Sequence, residues 1–170
     1  MSNFFKRHNI SMIVSDMAGT TIQESGIIYQ SIFNTLHKMG YPVKLKDKEN
    51  WHGMDKKEAI INHILKFNPN INIDYTYKKA NKILLNELSK EYFDNNKIKL
   101  IDNDLFSYFN NLRDDDIIVT LQTGYPSILQ EKIINRFKMN CFVDDWISSQ
   151  YVKRGRPYPD MIEYMTSKHK

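Results

Sequence analysis

A short apolar run, Ile10, Met12, Ile13 and Val14, leads directly into DMAGTT, Asp16 to Thr21, and this junction constrains the chain more than any other segment. A buried parallel strand that ends in Asp and breaks at Gly19 presents a carboxylate at its C-terminal tip, where open α/β sheets hold their ligands. Asp16 is therefore the first candidate nucleophile. An Asp that merely caps a turn is the alternative reading of the same residue.

Behind this strand, Ile28, Ile32, Leu36 and Met39 mark one face of a helix that Gly40 can close. Asp55 before Lys56, Lys57 and Glu58 has the pattern of a helix start, and Ile60, Ile61, Ile64 and Leu65 supply that helix with a buried stripe. A third helix is expected from about Tyr75 to Phe93, with Ala80, Leu84 and Leu88 in register. Three helices without an intervening strand look like an insertion. Strand and helix then alternate again. A helix through Leu105, Phe109 and Leu112 precedes a strand at Ile117 to Leu121. A helix with Leu129, Ile133 and Phe137 has Pro126 in its first turn. A strand at about Trp146 to Ser149 and a last helix at Asp160 to Met165 complete the outline.

The 170 residues, 41% hydrophobic and 26% charged, fit one globular unit or a core with one insertion. A net charge of +4 admits anionic partners, but the lysines are scattered and no nucleic-acid motif is present, so a phosphate-bearing small molecule is expected rather than nucleic acid. Cys141 is the only cysteine, which excludes an internal disulfide and fits a reducing compartment. Met1 to Arg7 lacks the apolar stretch of a signal peptide, and no apolar run reaches membrane-spanning length. A cytoplasmic protein with no membrane partner is expected.

Three chemistry-bearing residues follow successive strands: Asp16, Thr123 in Gln122-Thr123-Gly124, and Arg156 in the loop after the third strand. Right-handed crossovers in a parallel sheet would bring these loops to one edge. A carboxylate, a hydroxyl with backbone N–H groups, and a cation are what phosphoryl transfer uses to attack phosphorus and hold its equatorial oxygens.

In order along the chain, DMAGTT, the LQTGY segment at Leu121 to Tyr125 and the GRPYPDMI segment at Gly155 to Ile162 resemble the three leading motifs of the haloacid dehalogenase superfamily, in particular its phosphonatase-like branch. Gly53-Met54-Asp55-Lys56 is similar to the cap loop of that branch. The resemblance implies an α/β fold with a Rossmann-like three-layer core and parallel sheet (residues 1–21 and 100–170) and an inserted helical cap (22–99). It implies that Asp16 forms an aspartyl-phosphate intermediate and that Thr123 and the Gly124 N–H hold phosphoryl oxygens. Arg156 stands where most relatives place a lysine. Gly19, Thr20 and Gly53 would also meet the substrate, and Mg2+ would bind the Asp16 carboxylate and the Ala18 carbonyl. The substrate would be a small phosphonate or phosphorylated metabolite.

Two residues away from the nucleophile most phosphatases of that superfamily place a second aspartate. Ala18 stands here and can transfer no proton, which removes a contribution commonly worth roughly 10²–10⁴-fold in ester hydrolysis. Phosphonatases share the alanine and use a cap lysine as a Schiff base, and Lys56 matches it in spacing from Gly53. At a helix start beside Lys57, the macrodipole disfavours the charged amine while Asp55 and Glu58 oppose that effect. An exposed lysine at a helix start is the alternative. The resemblance departs at Ala59 and His52, where phosphonatases carry a histidine and a methionine.

The family continues past its third motif with a strand ending in Gly-Asp and a further Asp. This chain stops at Lys170, so the resemblance implies a core truncated at its C-terminal end, with weak magnesium binding because Asp16 is the only charged ligand. Strand one would then be an apolar edge, unless it is completed by a second copy or a partner chain, the sequence is a piece of a longer chain, or the strand is covered in some other way. Asp114 to Asp116 and Asp144-Asp145 precede strands and are expected as solvated turns at the opposite edge. Trp51 is expected to anchor the cap, and His52 to lie in an exposed loop. A catalytically impaired relative that serves as a ligand-binding or protein-interaction module is the second functional reading.

Overall fold

The structure, a computed structural model, describes residues 9–51 and 54–170. Met1 to Arg7, His52 and Gly53, each given a reading above, lie outside the described residues. In chain order the elements are β1 (Met12–Asp16), β2 (Ile22–Gln23), α1 (Ile27–Lys38), α2 (Leu45–Asn50), α3 (Lys56–Phe67), α4 (Ile73–Ser89), β3 (Lys99–Leu100), α5 (Leu105–Asp114), β4 (Ile118–Thr123), α6 (Ser127–Phe137), β5 (Asp145–Ser148) and α7 (Asp160–Lys168). They form two units, Met1–Gln23 with Lys99–Lys170, and Glu24–Ile98.

The first unit is α/β. A parallel sheet runs in the order β1-β4-β5, with Met12 opposite Ile118, Asp16 opposite Gln122 and Thr123 opposite Ser148. The connections supply the helices that parallel strands require. From α7, Met161 and Met165 pack with Ile147 of β5, and Met12 and Val14 join this cluster. Phe109 and Leu112 of α5 and Leu129 and Ile133 of α6 are also buried. Among the described residues β1 pairs on one side only, so it is the sheet's edge. Its five residues are half-buried rather than exposed, and the α7 methionines account for the cover over Met12 and Val14.

Strand limits differ from expectation by a residue or two. β1 starts at Met12 and includes Asp16, β4 includes Thr123, and β5 starts at Asp145. Pro126 is the N-cap of α6 and lies outside its first turn. The two-residue ladder of β2 and β3, Ile22 opposite Leu100 and Gln23 opposite Lys99, is too short to leave a periodicity. It fastens the point where the chain leaves the first unit to the point where it returns.

Asp144 is exposed in the bend before β5, as expected, whereas Asp145 belongs to the strand itself and is half-buried. Asp144 Oδ2 accepts from the Val119 N–H at 2.8 Å and its Oδ1 pairs with Arg113 at 3.0 Å. Asp145 Oδ2 lies 2.7 Å from Lys168 Nζ and 2.9 Å from His169 Nε2, which ties α7 to the start of β5. Asp145 begins β5 and Asp144 precedes it, at the end of the sheet away from Thr123.

The second unit is helical. The apolar stripe of α1 is buried at Ile28, Ile32 and Leu36. This helix closes as its spacing suggests: Gly40 takes φ +83°, and the Gly40 and Tyr41 N–H groups donate to the His37 and Leu36 carbonyls. In α3 Ile60 and Ile64 are buried, and in α4 Ala80, Leu84 and Leu88. The chain continues from α4 as a π-helical turn at Lys90–Asp94. The six residues of α2 bury no side chain; Asp47 accepting from the Lys44 N–H at 2.8 Å holds its first turn. Polar capping of this kind leaves no hydrophobic pattern to read. Trp51 is buried, edge-on to His63, whose Nε2 meets the Pro42 carbonyl at 2.9 Å.

Candidate active site

The site is built on the C-terminal ends of β1, β4 and β5. After Asp16 the chain turns back on the Met17 carbonyl, which accepts from the N–H groups of Thr20, Thr21 and Ile22, while the Gly19 N–H donates to the Ile22 carbonyl. Gly19 holds φ +77°, a conformation that L side chains rarely adopt, so the turn calls for glycine there. Gly19 and Thr20 are exposed on this turn and Thr21 is buried beneath them.

Arg156 approaches Asp16 from the loop after β5. Its Nη1 lies 3.1 Å from Asp16 Oδ1. That oxygen is buried and takes no hydrogen bond of good geometry, so the contact is an ion pair by distance. The other guanidinium nitrogen, Nη2, would stand 3.7 Å from a Cβ at Gly124. Asp16, Arg156 and Gly124 thus share one locality. Thr123 closes β4, one residue beyond Asp16's partner Gln122; its side chain is buried and its Oγ1 accepts from the Tyr125 N–H at 3.2 Å. That bond leaves the hydroxyl proton unused.

Residues that sequence reading passed over fix these loops. Ser148, the last residue of β5, donates its hydroxyl to the Tyr125 carbonyl. Gln150 Oε1 accepts from the Ser127 N–H at 2.9 Å, which satisfies a free donor at the start of α6. Arg154 grips Asp160 through Nη2 at 2.8 Å and also stacks over Tyr158. The Arg154 hydrogen bond holds the Asp160 carboxyl below its ordinary range. These contacts bracket Arg156 on both sides. Their only sequence signal was proximity to the third motif.

Lys56 belongs to the second unit, whereas Asp16, Thr123 and Arg156 belong to the first. Asp55 caps α3, its Oδ1 accepting from the N–H groups of Lys57 at 2.9 Å and Glu58 at 3.2 Å. Lys56 is the first residue of that helix and is half-buried. Its Nζ donates to the Tyr29 hydroxyl at 3.2 Å and to the Met54 carbonyl at 3.4 Å, and stands 4.5 Å over the Tyr29 ring. Tyr29 was not singled out from sequence, because its partner lies on a different helix.

For a metal, the described residues hold no group of three or more His, Cys, Asp or Glu side chains suited to one. Asp16 supplies a single carboxylate, whose buried Oδ1 takes no hydrogen bond but is ion-paired with Arg156. The hydrogen bonds of the turn go to the Met17 and Ile22 carbonyls, so the Ala18 carbonyl is not among the acceptors they use. One carboxylate and one carbonyl suit Mg2+ when waters and substrate phosphate oxygens complete its octahedron.

The fold is the α/β architecture of haloacid dehalogenase-superfamily hydrolases. The chain is similar to a predicted phosphoglycolate phosphatase from Haemophilus somnus, with TM-score 0.70 and 15% identity over 94% of this chain and 72% of the other. It is similar to a β-phosphoglucomutase from Clostridium difficile, with TM-score 0.68 and 18% identity over 94% and 70%. It is also similar to a haloacid dehalogenase-like family hydrolase from Streptococcus pneumoniae, with TM-score 0.62 and 15% identity over 95% and 71%. No family model matches the sequence, and no curated protein matches it. At these identities the likeness establishes the fold alone. Among the described residues no helix is long and apolar enough to cross a membrane.

Proposed function

We propose that this chain is a hydrolase that removes a phosphoryl group from a small phosphorylated metabolite or phosphonate through an aspartyl-phosphate intermediate. The observation that carries this reading is the Asp16 carboxylate, placed at a strand tip with a buried, unbonded Oδ1 and the Arg156 guanidinium 3.1 Å away. A carboxylate oxygen of Asp16 forms a bond to phosphorus while the bond from phosphorus to the leaving group breaks, its electron pair departing with that group. Arg156, the Gly124 N–H and the Thr123 hydroxyl donate to the phosphoryl oxygens. Water then cleaves the aspartyl phosphate, restoring the carboxylate and releasing inorganic phosphate. Mg2+ held by Asp16 and the Ala18 carbonyl would offset phosphoryl charge. Phosphatases and phosphomutases of similar fold support this kind of chemistry.

The finer reading is that the leaving atom is carbon. Ala18 has no proton to give an ester oxygen, and Lys56 supplies an amine able to condense with a substrate aldehyde, releasing water. The resulting iminium would accept the electron pair of the breaking C–P bond. Borohydride reduction in the presence of a phosphonate aldehyde should label Lys56; an unlabelled lysine removes this part.

The test of the whole is phosphate release by the full chain with Mg2+ from phosphorylated metabolites and phosphonates, native against Asp16→Asn. Release by the native chain and at most a trace by the variant is expected. Equal rates would reject Asp16 as nucleophile.

A second reading, a catalytically silent binder of a phosphorylated ligand, is favoured by Ala18 and by the ion pair that already occupies Asp16. Saturable binding of inorganic phosphate without turnover of any substrate would select it.

A further inference from the structure

A cavity of about 520 Å³ lies within the second unit beside the first turns of α1, with Ile27, Gln30, Ser31, Asn34, Glu91 and Lys97 in its wall. That volume is in the range of small-molecule sites. Three observations bear on what would fill it.

The first is charge. Glu91 and Lys97 are ion-paired, so their charges cancel. A helix start ordinarily attracts anions, but in α1 the Glu24 carboxylate already accepts from the Ile28 N–H at 3.0 Å. An arriving phosphate or carboxylate would meet that charge and gain little. The wall therefore suits a neutral molecule.

The second is Ser31. It is 1% exposed, it lines the cavity, and its hydroxyl makes no hydrogen bond to the protein among the described residues. Facing the cavity, that hydroxyl can give and take a hydrogen bond with a ligand hydroxyl.

The third is the orientation of the two carboxamides. Lys48 Nζ donates to Gln30 Oε1 at 2.6 Å, Gln30 Nε2 to Asn34 Oδ1 at 2.9 Å, and Asn34 Nδ2 to Glu87 Oε2 at 3.3 Å. The relay ends on Lys38, which holds Glu87 at 2.6 Å. Each carboxamide spends one donor and one acceptor in this chain and keeps one of each. A donor and an acceptor side by side match a hydroxyl group, which both gives and takes a hydrogen bond. Because the relay fixes both amides beforehand, a ligand need not order them.

We propose that this cavity binds a small neutral polyhydroxylated molecule, sugar-like in its chemistry, with Gln30 and Asn34 reading its hydroxyls and Ser31 bonding one at the buried side. Ile27 would meet the molecule's C–H face. The proposal is independent of the chemistry assigned to Asp16, because every residue it uses lies in the second unit.

The experiment is a titration of the ¹⁵N-labelled full chain with D-glucose, glycerol and inorganic phosphate, followed by NMR. Saturable shifts at the Gln30 and Asn34 side-chain amides and the Ser31 backbone amide are expected with at least one neutral probe, and none with phosphate. Ser31→Ala should weaken that binding by about five-fold or more, and Asp16→Asn should leave it unchanged. Should Ser31→Ala disturb folding, Gln30→Leu at an exposed position decides the same point, again by weakened binding. The proposal is overturned by an absence of saturation with both neutral probes up to roughly 50 mM, beyond the range of even millimolar affinity. It is overturned equally by saturation with phosphate alone, or by native affinity in folded Ser31→Ala or Gln30→Leu.

Discussion

Arg156 stands beside both Asp16 and Gly124, one guanidinium nitrogen 3.1 Å from the Asp16 carboxylate and the other 3.7 Å from where a Cβ on the glycine would stand. Both side chains of the ion pair keep solvent contact, at 38% and 26% exposure, so the pair adds less than about 1 kcal/mol to stability. A donor placed where phosphoryl charge gathers is worth far more to a rate, roughly 10²–10³-fold. Arg156→Ala is thus expected to leave the urea midpoint almost unmoved while lowering phosphate release by that factor. Arg156→Lys, which keeps the charge but loses the fork, should fall between. A variant with a much lower midpoint and a native rate would make Arg156 a structural residue.

Gly19 and Gly124 follow the strand ends of the same site but should respond differently to alanine. At Gly19 an added Cβ meets nothing within 4 Å, yet φ is +77°, so Gly19→Ala costs about 1 kcal/mol through the backbone alone. At Gly124 the Cβ meets Arg156 Nη2 at 3.7 Å, an ordinary contact, and Gly124→Ala should stay within ~0.5 kcal/mol of the native chain. Urea denaturation of the two variants side by side checks the order.

Asp145 should make the first unit acid-sensitive. Burial pushes its carboxyl up, but hydrogen bonds from Lys168 and His169 outweigh that and hold it below the ordinary range. A carboxyl lowered in the folded state contributes stability above its unfolded value, and this is lost as pH falls through the folded value. The window is therefore below about pH 4. Asp145→Asn should be less stable at neutral pH and decline less steeply in that window, as read from urea midpoints at pH 7 and pH 3.

The Asp55 cap sets where α3 begins. Asp55→Ala leaves the Lys57 and Glu58 N–H groups without their acceptor, at a cost of about 1 kcal/mol. Faster hydrogen exchange at those two amides than in Asp55→Asn, which keeps a side-chain acceptor, would confirm the cap. Equal exchange would show that the turn is held by other contacts.

Much of the framework was legible because its causes are local. The buried positions Ile28, Ile32 and Leu36 recur at helical spacing, Asp55 announces the helix it caps, and a short apolar run broken by glycine marks β1 and its terminal aspartate. Elements too short for a period, β2, β3 and α2, left no such trace. Asp145 was misread as part of a solvated turn because its partners Lys168 and His169 come from the far end of the chain, and the pairing of exposed Asp144 with Arg113 was missed for the same reason. Tyr29 beside Lys56, and Ser148 beneath Tyr125, escaped notice for the same reason.

By itself the sequence determined the α/β alternation, the helical insertion and the residue types waiting at each strand end, since spacing and composition act over a few neighbouring positions. Only tertiary structure decided that Arg156 reaches Asp16, that Oδ1 is left without a hydrogen bond, and that Ser31 faces a cavity with an unspent hydroxyl. Those facts depend on strand pairing and helix packing between segments far apart in the chain, where distance and direction are set by the whole core rather than by any local pattern.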